Sequence, residues 1–317
     1  MIGFHASHEQ FSPSGLLSLV RQAEQAGFTA AMCSDHFHPW NERQGQSGFA
    51  WSWLGAAMQA TRLSYGIVNA PCGRYHPAVI AQAVATLGEM FPGRFWIAAG
   101  SGEALNEHIT GEAWPDKNVR NARLAESVDI MRALWRGDTV THHGHIQVED
   151  ARLYTLPAQT PQVFVAALSP ATARWAAVWA DGLITVSMPR HELRQIVEAF
   201  LEGGGQGKPL YLQVKLSYAE SDEAALLGAH EQWDTNVIGA KASQDLQTPR
   251  QFESAAQSVR LEDLRHCVRI SSDLHRHRDW LAADFELGFS RLYLHNLNRR
   301  QAEFIDAFGD HVLPHFN

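Results

Sequence analysis

Short apolar runs and amphipathic helical runs alternate along this chain almost without interruption, and no other feature constrains its fold as much. Ile2 to Ala6 reads as a first strand. Ser12-Pro13-Ser14 then opens a helix in which Leu16, Leu17, Leu19, Val20, Ala23 and Ala26 recur at helical spacing until Gly27 closes it. Ala30 to Cys33 is the second strand, which completes a βαβ unit. The same pattern continues through helix Trp51 to Ala60, strand Leu63 to Val68, helix Pro77 to Met90, strand Arg94 to Ala99 and helix Val119 to Trp135.

Asp138 to Leu156 breaks the period with a polar hairpin, its turn expected at His142, His143, Gly144 and His145. Strands then return at Val163 to Ala167, Gly182 to Val186, Leu210 to Leu216 and Leu292 to His295, with helices Pro170 to Ala180 and His191 to Glu202 among them. Ser221 to Leu264 is a long, polar, helix-prone excursion. Eight strands in βα alternation predict a single α/β domain over residues 1–317, a (β/α)8 TIM barrel with a hairpin insertion near 138–156 and a helical insertion near 221–264. A doubly wound sheet is the runner-up, because strand order is not written in one sequence.

Composition excludes several function classes. A net charge of −8 offers no basic footprint for nucleic acid. No run reaches the roughly 20 apolar residues that cross a bilayer, and the N-terminus lacks the basic and apolar regions of a signal peptide. Cys33, Cys72 and Cys267 are odd in number and widely spaced, so neither a disulfide framework nor a structural zinc site is expected, and a reducing cytoplasm fits. A small-molecule substrate is the expected partner.

Chemistry concentrates after the second strand, where Cys33-Ser34-Asp35-His36-Phe37-His38-Pro39-Trp40 delivers an acid, an imidazole and an indole together. The carboxyl ends of strands are where α/β folds place their active sites. Glu103 follows the fourth strand and reads either as a site residue or as the N-terminal acid of the next helix. Gly100-x-Gly102 lacks the third glycine of a dinucleotide fingerprint. His142-His143-x-His145 could ligate a metal, but a solvated hairpin tip is the simpler reading, and Cys72 has no adjacent base to make it a nucleophile.

Three motifs carry a family likeness: Ser34-Asp35-His36-Phe37 with Pro39-Trp40, Arg74-Tyr75-His76-Pro77-Ala78-Val79-Ile80-Ala81-Gln82, and Gly102-Glu103-Ala104-Leu105-Asn106-Glu107. In them the chain resembles the luciferase-like flavin oxidoreductases, near the branch of deazaflavin (coenzyme F-420)-dependent glucose-6-phosphate dehydrogenases. Tyr293-Leu294-His295-Asn296-Leu297 and Phe304-Ile305-Asp306-Ala307-Phe308-Gly309 look more like an offshoot whose members use ordinary FMN. FMN is therefore the expected cofactor, with the deazaflavin as the alternative. Helical surfaces of this superfamily often pair, which implies a homodimer.

The resemblance implies roles residue by residue. His36 would be a general base facing the substrate, with Glu9 orienting it, Trp40 walling the pocket and Glu103 on the far side of the cofactor ring as proton donor or hydrogen-bond partner. Asp35 would lie beside the cofactor ring. A bulge with a cis non-proline peptide near Ile67-Val68 would support the ring, and Asn69, Gly102 and Asn106 would line it. Leu168-Ser169 replace the family's glycine pair after the fifth strand, and Ala167, Leu168 and Ser169 would meet the cofactor phosphate. Ser187-Met188-Pro189-Arg190 and His266-Cys267 stand where the sugar-phosphate enzymes carry basic residues, which argues against glucose 6-phosphate.

The expected activity is flavin-dependent hydride transfer or monooxygenation of a small organic substrate. A deazaflavin-dependent dehydrogenase of an alcohol or sugar is the alternative, and a non-catalytic flavin-binding protein the second. Proton removal near neutral pH suits an imidazole held by a carboxylate.

Overall fold

The computed structural model describes residues 1–239 and 243–316. Its strands, in chain order, are β1 Ile2–Ala6, β2 Ala30–Ser34, β3 Ser64–Asn69, β4 Phe95–Ala99, β5 Val140–His143, β6 Gln147–Ala151, β7 Gln162–Ala166, β8 Gly182–Val186, β9 Leu210–Ser217, β10 Arg269–Ile270 and β11 Arg291–Asn296. Eight of them form a closed parallel ring in the order β1-β2-β3-β4-β7-β8-β9-β11. Pairing of Ile2 with Leu292 and of Leu183 with Leu210 completes the circuit. The fold is a TIM barrel, and all eight ring strands coincide with the runs expected to form them. Closure, not strand content, separates this fold from the doubly wound alternative.

Strand side chains divide by parity, because successive residues point to opposite faces. Phe4, Ala31, Cys33, Tyr65, Ile67, Ile97, Val165, Leu212, Val214 and Leu294 join the helices in the main core, which includes Leu16, Val20 and Ala23 of helix Pro13–Gln25. Ala30, Met32, Trp96, Ala98, Phe164, Ile184, Tyr211 and Tyr293 form a second cluster that fills the barrel. There Trp96 Nε1 donates to Tyr293 Oη at 3.1 Å, and the Phe164 and Tyr211 rings stack 4.3 Å apart. A Cβ on Gly66 would fall 2.0 Å from the Trp96 ring, so the indole occupies space that only glycine leaves free. The barrel is therefore plugged below its mouth.

Two expectations need correction. Every described peptide bond is trans, so the cis bond and bulge expected at Ile67-Val68 are not present. Instead β3 pairs with β4 in unbroken register from Tyr65 to Asn69, a register that keeps Tyr65 and Ile67 outward and Gly66 inward. His142 and His143 belong to β5 and not to the hairpin turn. His142 Nε2 lies 3.0 Å from Glu126 Oε2, which ties the hairpin to helix Lys117–Trp135. Among the described residues no cluster of His, Cys, Asp or Glu is placed to hold a metal, and no helix is long and apolar enough to cross a membrane.

The excursion after β9 contains helices Asp222–Trp233 and Pro249–Ala255 and a 3-10 turn at Leu261–His266. Residues 240–242, within the expected insertion, lie outside the described residues. This segment has its own small core of Ala225, Leu226, Ala229, Trp233, Leu264, Val268, Ile270 and Leu297, against which Trp40 packs. It extends beyond Leu264 into β10, which pairs with the last two residues of β9 and which the sequence reading missed.

Candidate active site

Each predicted catalytic group leaves the barrel at the carboxyl end of a strand. Glu9 follows β1, His36 and Trp40 follow β2, and Glu103 follows β4. Pairing of Ala6 with Cys33 brings the first two turns together, and His36 Nδ1 lies 2.9 Å from Glu9 Oε1. The other carboxylate oxygen of Glu9 accepts from Ser7 Oγ at 2.7 Å. Across the mouth, His36 Nε2 is 4.0 Å from Glu103 Oε2. Glu103 occupies the cap position of helix Ala104–Glu107 but makes no side-chain cap bond, so its carboxylate faces the histidine.

Charge and burial set the protonation of this trio. Burial alone would raise the Glu9 carboxyl, but the His36 charge and hydrogen bond outweigh it and hold the acid well below the usual carboxylate range. Burial would lower the imidazole of His36, yet attraction to Glu9 prevails and its pKa stands above the ordinary value. Glu103 moves upward, because loss of water around its carboxyl exceeds the opposing pull of His36 and Lys215. Its Oε2 is buried without a hydrogen-bond partner among the described residues. An acid whose pKa is lowered, an imidazole whose pKa is raised and a second carboxyl whose pKa is raised thus converge on one point.

Trp40 closes one side. Its ring meets His36 edge-on at 5.1 Å and is backed by Phe252 at 5.4 Å and Trp233 at 6.4 Å, both from the long insertion. The β2 loop that carries it is fixed by Asn106, whose Oδ1 accepts from Phe37 N at 2.8 Å and His38 N at 3.2 Å. Ser47 Oγ donates to His36 O at 2.9 Å, and Trp40 N donates to Gln44 Oε1 at 2.8 Å. Such bonds hold the imidazole and the indole before any ligand arrives.

Several residues expected at the cofactor are held by contacts within the protein. Asp35 is turned into a buried network, where its carboxylate accepts from Asn69 Nδ2 at 2.8 Å and Trp51 Nε1 at 3.2 Å and pairs with Arg74 at 3.2 Å. Arg74 also binds Glu107 at 2.5 Å, giving a sealed acid–base–acid triad. Asn69 is committed to that network, although its Oδ1 is unpartnered. Ile67 points outward into the helical core and is fully buried, so its side chain does not reach the mouth. Asn106 spends its oxygen on the β2 loop. Gly102 adopts a left-handed φ of +82° close to Glu107 and Trp114.

Ala167 is buried, with its N–H donating to Ile184 O at 3.1 Å. Ser169 caps helix Pro170–Ala176 by accepting from Thr172 N. Leu168 is exposed between them.

The mouth has two unlike halves. Over β3, β4, β7 and β8, the inward side chains are small and partly open to solvent: Val68, Gly100, Ala166 and Val186. They form an apolar floor to this half of the mouth. Over β9, β11 and β1, the same layer is polar, with His5, Gln213, Lys215 and His295. The rings of His5 and His295 lie 4.3 Å apart, and burial lowers His5 to about 4 and His295 well below its ordinary value. His295 Nδ1 accepts from Gln213 Nε2 at 3.1 Å, and its Nε2 donates to Gln10 Oε1 at 3.0 Å.

Sequence reasoning gave no role to this polar half, nor to Arg74 and Glu107. Arg74 and Glu107 stood inside the recognised motifs, and Gln213 and Lys215 alternate with apolar residues in β9, which was the signal available.

Residues 2–291 match the model of the luciferase-like monooxygenase family. The chain belongs to that family. Relatives of this luciferase-like chain include F420-dependent glucose-6-phosphate dehydrogenases of Intrasporangium calvum, 37% identical over 99% of this chain and 98% of the relative, and of Beutenbergia cavernae, 35% identical over 99% and 96%. Among solved structures, an F420-dependent secondary alcohol dehydrogenase in complex with an F420-acetone adduct superposes with a TM-score of 0.91 at 30% identity, covering 99% of this chain and 98% of the other. The coenzyme F420-dependent tetrahydromethanopterin reductase of Methanopyrus kandleri shares the fold, with a TM-score of 0.80 at 17% identity, covering 100% and 99%. This luciferase-like chain is an oxidoreductase.

Proposed function

We propose that this protein is a deazaflavin-dependent dehydrogenase that interconverts a small secondary alcohol and its ketone at the barrel mouth. The observation that carries this reading is His36 set between Glu9 and Glu103 beside Trp40. The relatives support the deazaflavin over FMN and dehydrogenation over monooxygenation, since those named above are F420-dependent.

The floor of Val68, Gly100, Ala166 and Val186 would hold the ring, with Glu103 at its edge. When bound, the deazaflavin supplies the acceptor for the substrate hydride. With Glu9 ionised, His36 donates from Nδ1 and presents the Nε2 lone pair to the substrate hydroxyl, whose proton it removes. Glu103, whose Oε2 lies 4.0 Å from His36 Nε2, would meet the same oxygen as a hydrogen-bond partner. Trp40, with Phe252 and Trp233 behind it, excludes water and fixes the carbinol.

The test is titration of the purified protein with the deazaflavin and with FMN, followed by assay of deazaflavin reduction with small secondary alcohols. Tighter binding of the deazaflavin and its reduction by at least one alcohol are expected. Preference for FMN, or no reduction with any alcohol, overturns the proposal.

A further inference from the structure

Lys215 is a charged side chain of the mouth that the chemistry above does not use. It lies on β9 with Tyr211 and Gln213, and by their parity it faces into the barrel. Its Nζ stands 5.4 Å from the centroid of the Trp233 ring, the same ring that backs Trp40 and meets His295 at 5.0 Å. Among the described residues, no carboxylate lies within ion-pair distance of this ammonium, and Nζ makes no hydrogen bond to any of them. Gln213, Gln10 and His295 of the same half are committed to one another, and Gln10 also binds Leu297 O at 2.8 Å. Burial lowers its pKa, against a smaller upward pull from Cys267 and Glu103.

A partly buried ammonium without a counter-ion is costly unless a ligand completes it. Among the described residues, three arginines of the surrounding loops are occupied. Arg74 pairs with Asp35 and Glu107, Arg265 with Glu262, and Arg299 binds the backbone carbonyls of Arg43 and Gln44. One free positive charge without a guanidinium fork matches a monoanion better than a phosphate dianion.

Resting on the dehydrogenase reading above, we propose that Lys215 determines specificity by taking a carboxylate, so that the substrate is a hydroxy acid and the product an oxo acid. The apolar end of such a substrate would lie against Trp40 and Trp233, and its carbinol at His36. The lysine takes no part in bond making; it orients the acid and selects it over neutral alcohols.

Binding can be read by quenching of tryptophan fluorescence, with 2-oxobutanoate and its uncharged isostere 2-oxobutanamide as probes. The wild type is expected to bind the acid at least about tenfold more tightly than the amide, as one charged hydrogen bond would give. Lys215→Met should abolish that preference while leaving amide affinity and deazaflavin affinity in place, and Lys215→Arg should keep part of it. Equal affinities in the wild type, no binding of the acid, or a preference that survives Lys215→Met overturns the assignment. Deazaflavin affinity, measured separately, isolates failure of the cofactor reading, because the acid preference is scored without turnover.

Discussion

His36 Nδ1 lies 2.9 Å from Glu9 Oε1, and this contact between the turns after β1 and β2 decides when the imidazole can act as a base. Because the carboxylate favours the protonated ring, the pKa of His36 stands above its ordinary value. A base works only when neutral, so kcat/KM for alcohol oxidation should climb as pH rises through that elevated pKa. Glu9→Gln removes the negative charge, and the limb should move to lower pH while the plateau falls from loss of orientation. The pH profiles of the two proteins check this, and an unmoved limb would separate Glu9 from His36.

Replacing His36 itself tests the base directly. His36→Ala should lower the rate of deazaflavin reduction on the order of 10² to 10⁴. Cofactor affinity should persist, since the floor of the ring lies on other strands. Stopped-flow reduction beside equilibrium titration distinguishes a lost base from a lost site. A rate within the wild-type range would leave the protein as a flavin binder without this chemistry.

Arg74 tests the scaffold beneath the site. Its side chain is 5% exposed between Asp35 and Glu107. Arg74→Met leaves two buried carboxylates unpaired, and removal of one partner from such a pair costs about 3 to 5 kcal/mol. Urea unfolding should show a loss of that order. Arg74→Ala should be no milder, so a small effect in both would mean that water reaches the triad freely.

Asn106 holds the β2 loop through two backbone N–H groups. Asn106→Ala should lower kcat with little change in overall stability, because it loosens His36 and Trp40 without opening the core. Thermal unfolding and steady-state kinetics together measure the two effects. An unchanged kcat would show that Ser47 and Gln44 suffice to fix the loop.

His277 sets a stability trend unrelated to catalysis. It is buried against Trp280 and Phe308 and bonds Ser271 O at 2.9 Å, and burial lowers its pKa to about 4. Between that value and the ordinary 6.5 the unfolded chain binds more protons than the folded one, so stability falls as pH drops through this window. His277 should contribute about 2 kcal/mol of that loss by about pH 5. Urea midpoints across the window should therefore change less in His277→Gln than in the wild type.

The βα alternation, the eight ring strands, and the positions of Glu9, His36, Trp40 and Glu103 were all legible in the sequence. Local patterning is sufficient there, since each group directly follows an apolar strand and every strand of a parallel barrel presents its carboxyl end to one mouth. What patterning cannot show is which way a residue at a strand end turns. Asp35 sits next to His36 in sequence, yet it turns away into the triad because Arg74 and Asn69 wait there. Ile67 is likewise one position out of phase with the mouth.

Only the tertiary structure decided three further things. Closure of β9 on β8 and of β11 on β1 made a barrel of a strand list and set Lys215 and His295 across from Glu103. Folding of the insertion placed Trp233 and Phe252 behind Trp40, a pairing that no local period encodes. The protonation of Glu9, His36 and Glu103 followed from distances between residues far apart in the chain, because Coulomb and desolvation energies depend on where charges lie in space and not on their order in sequence.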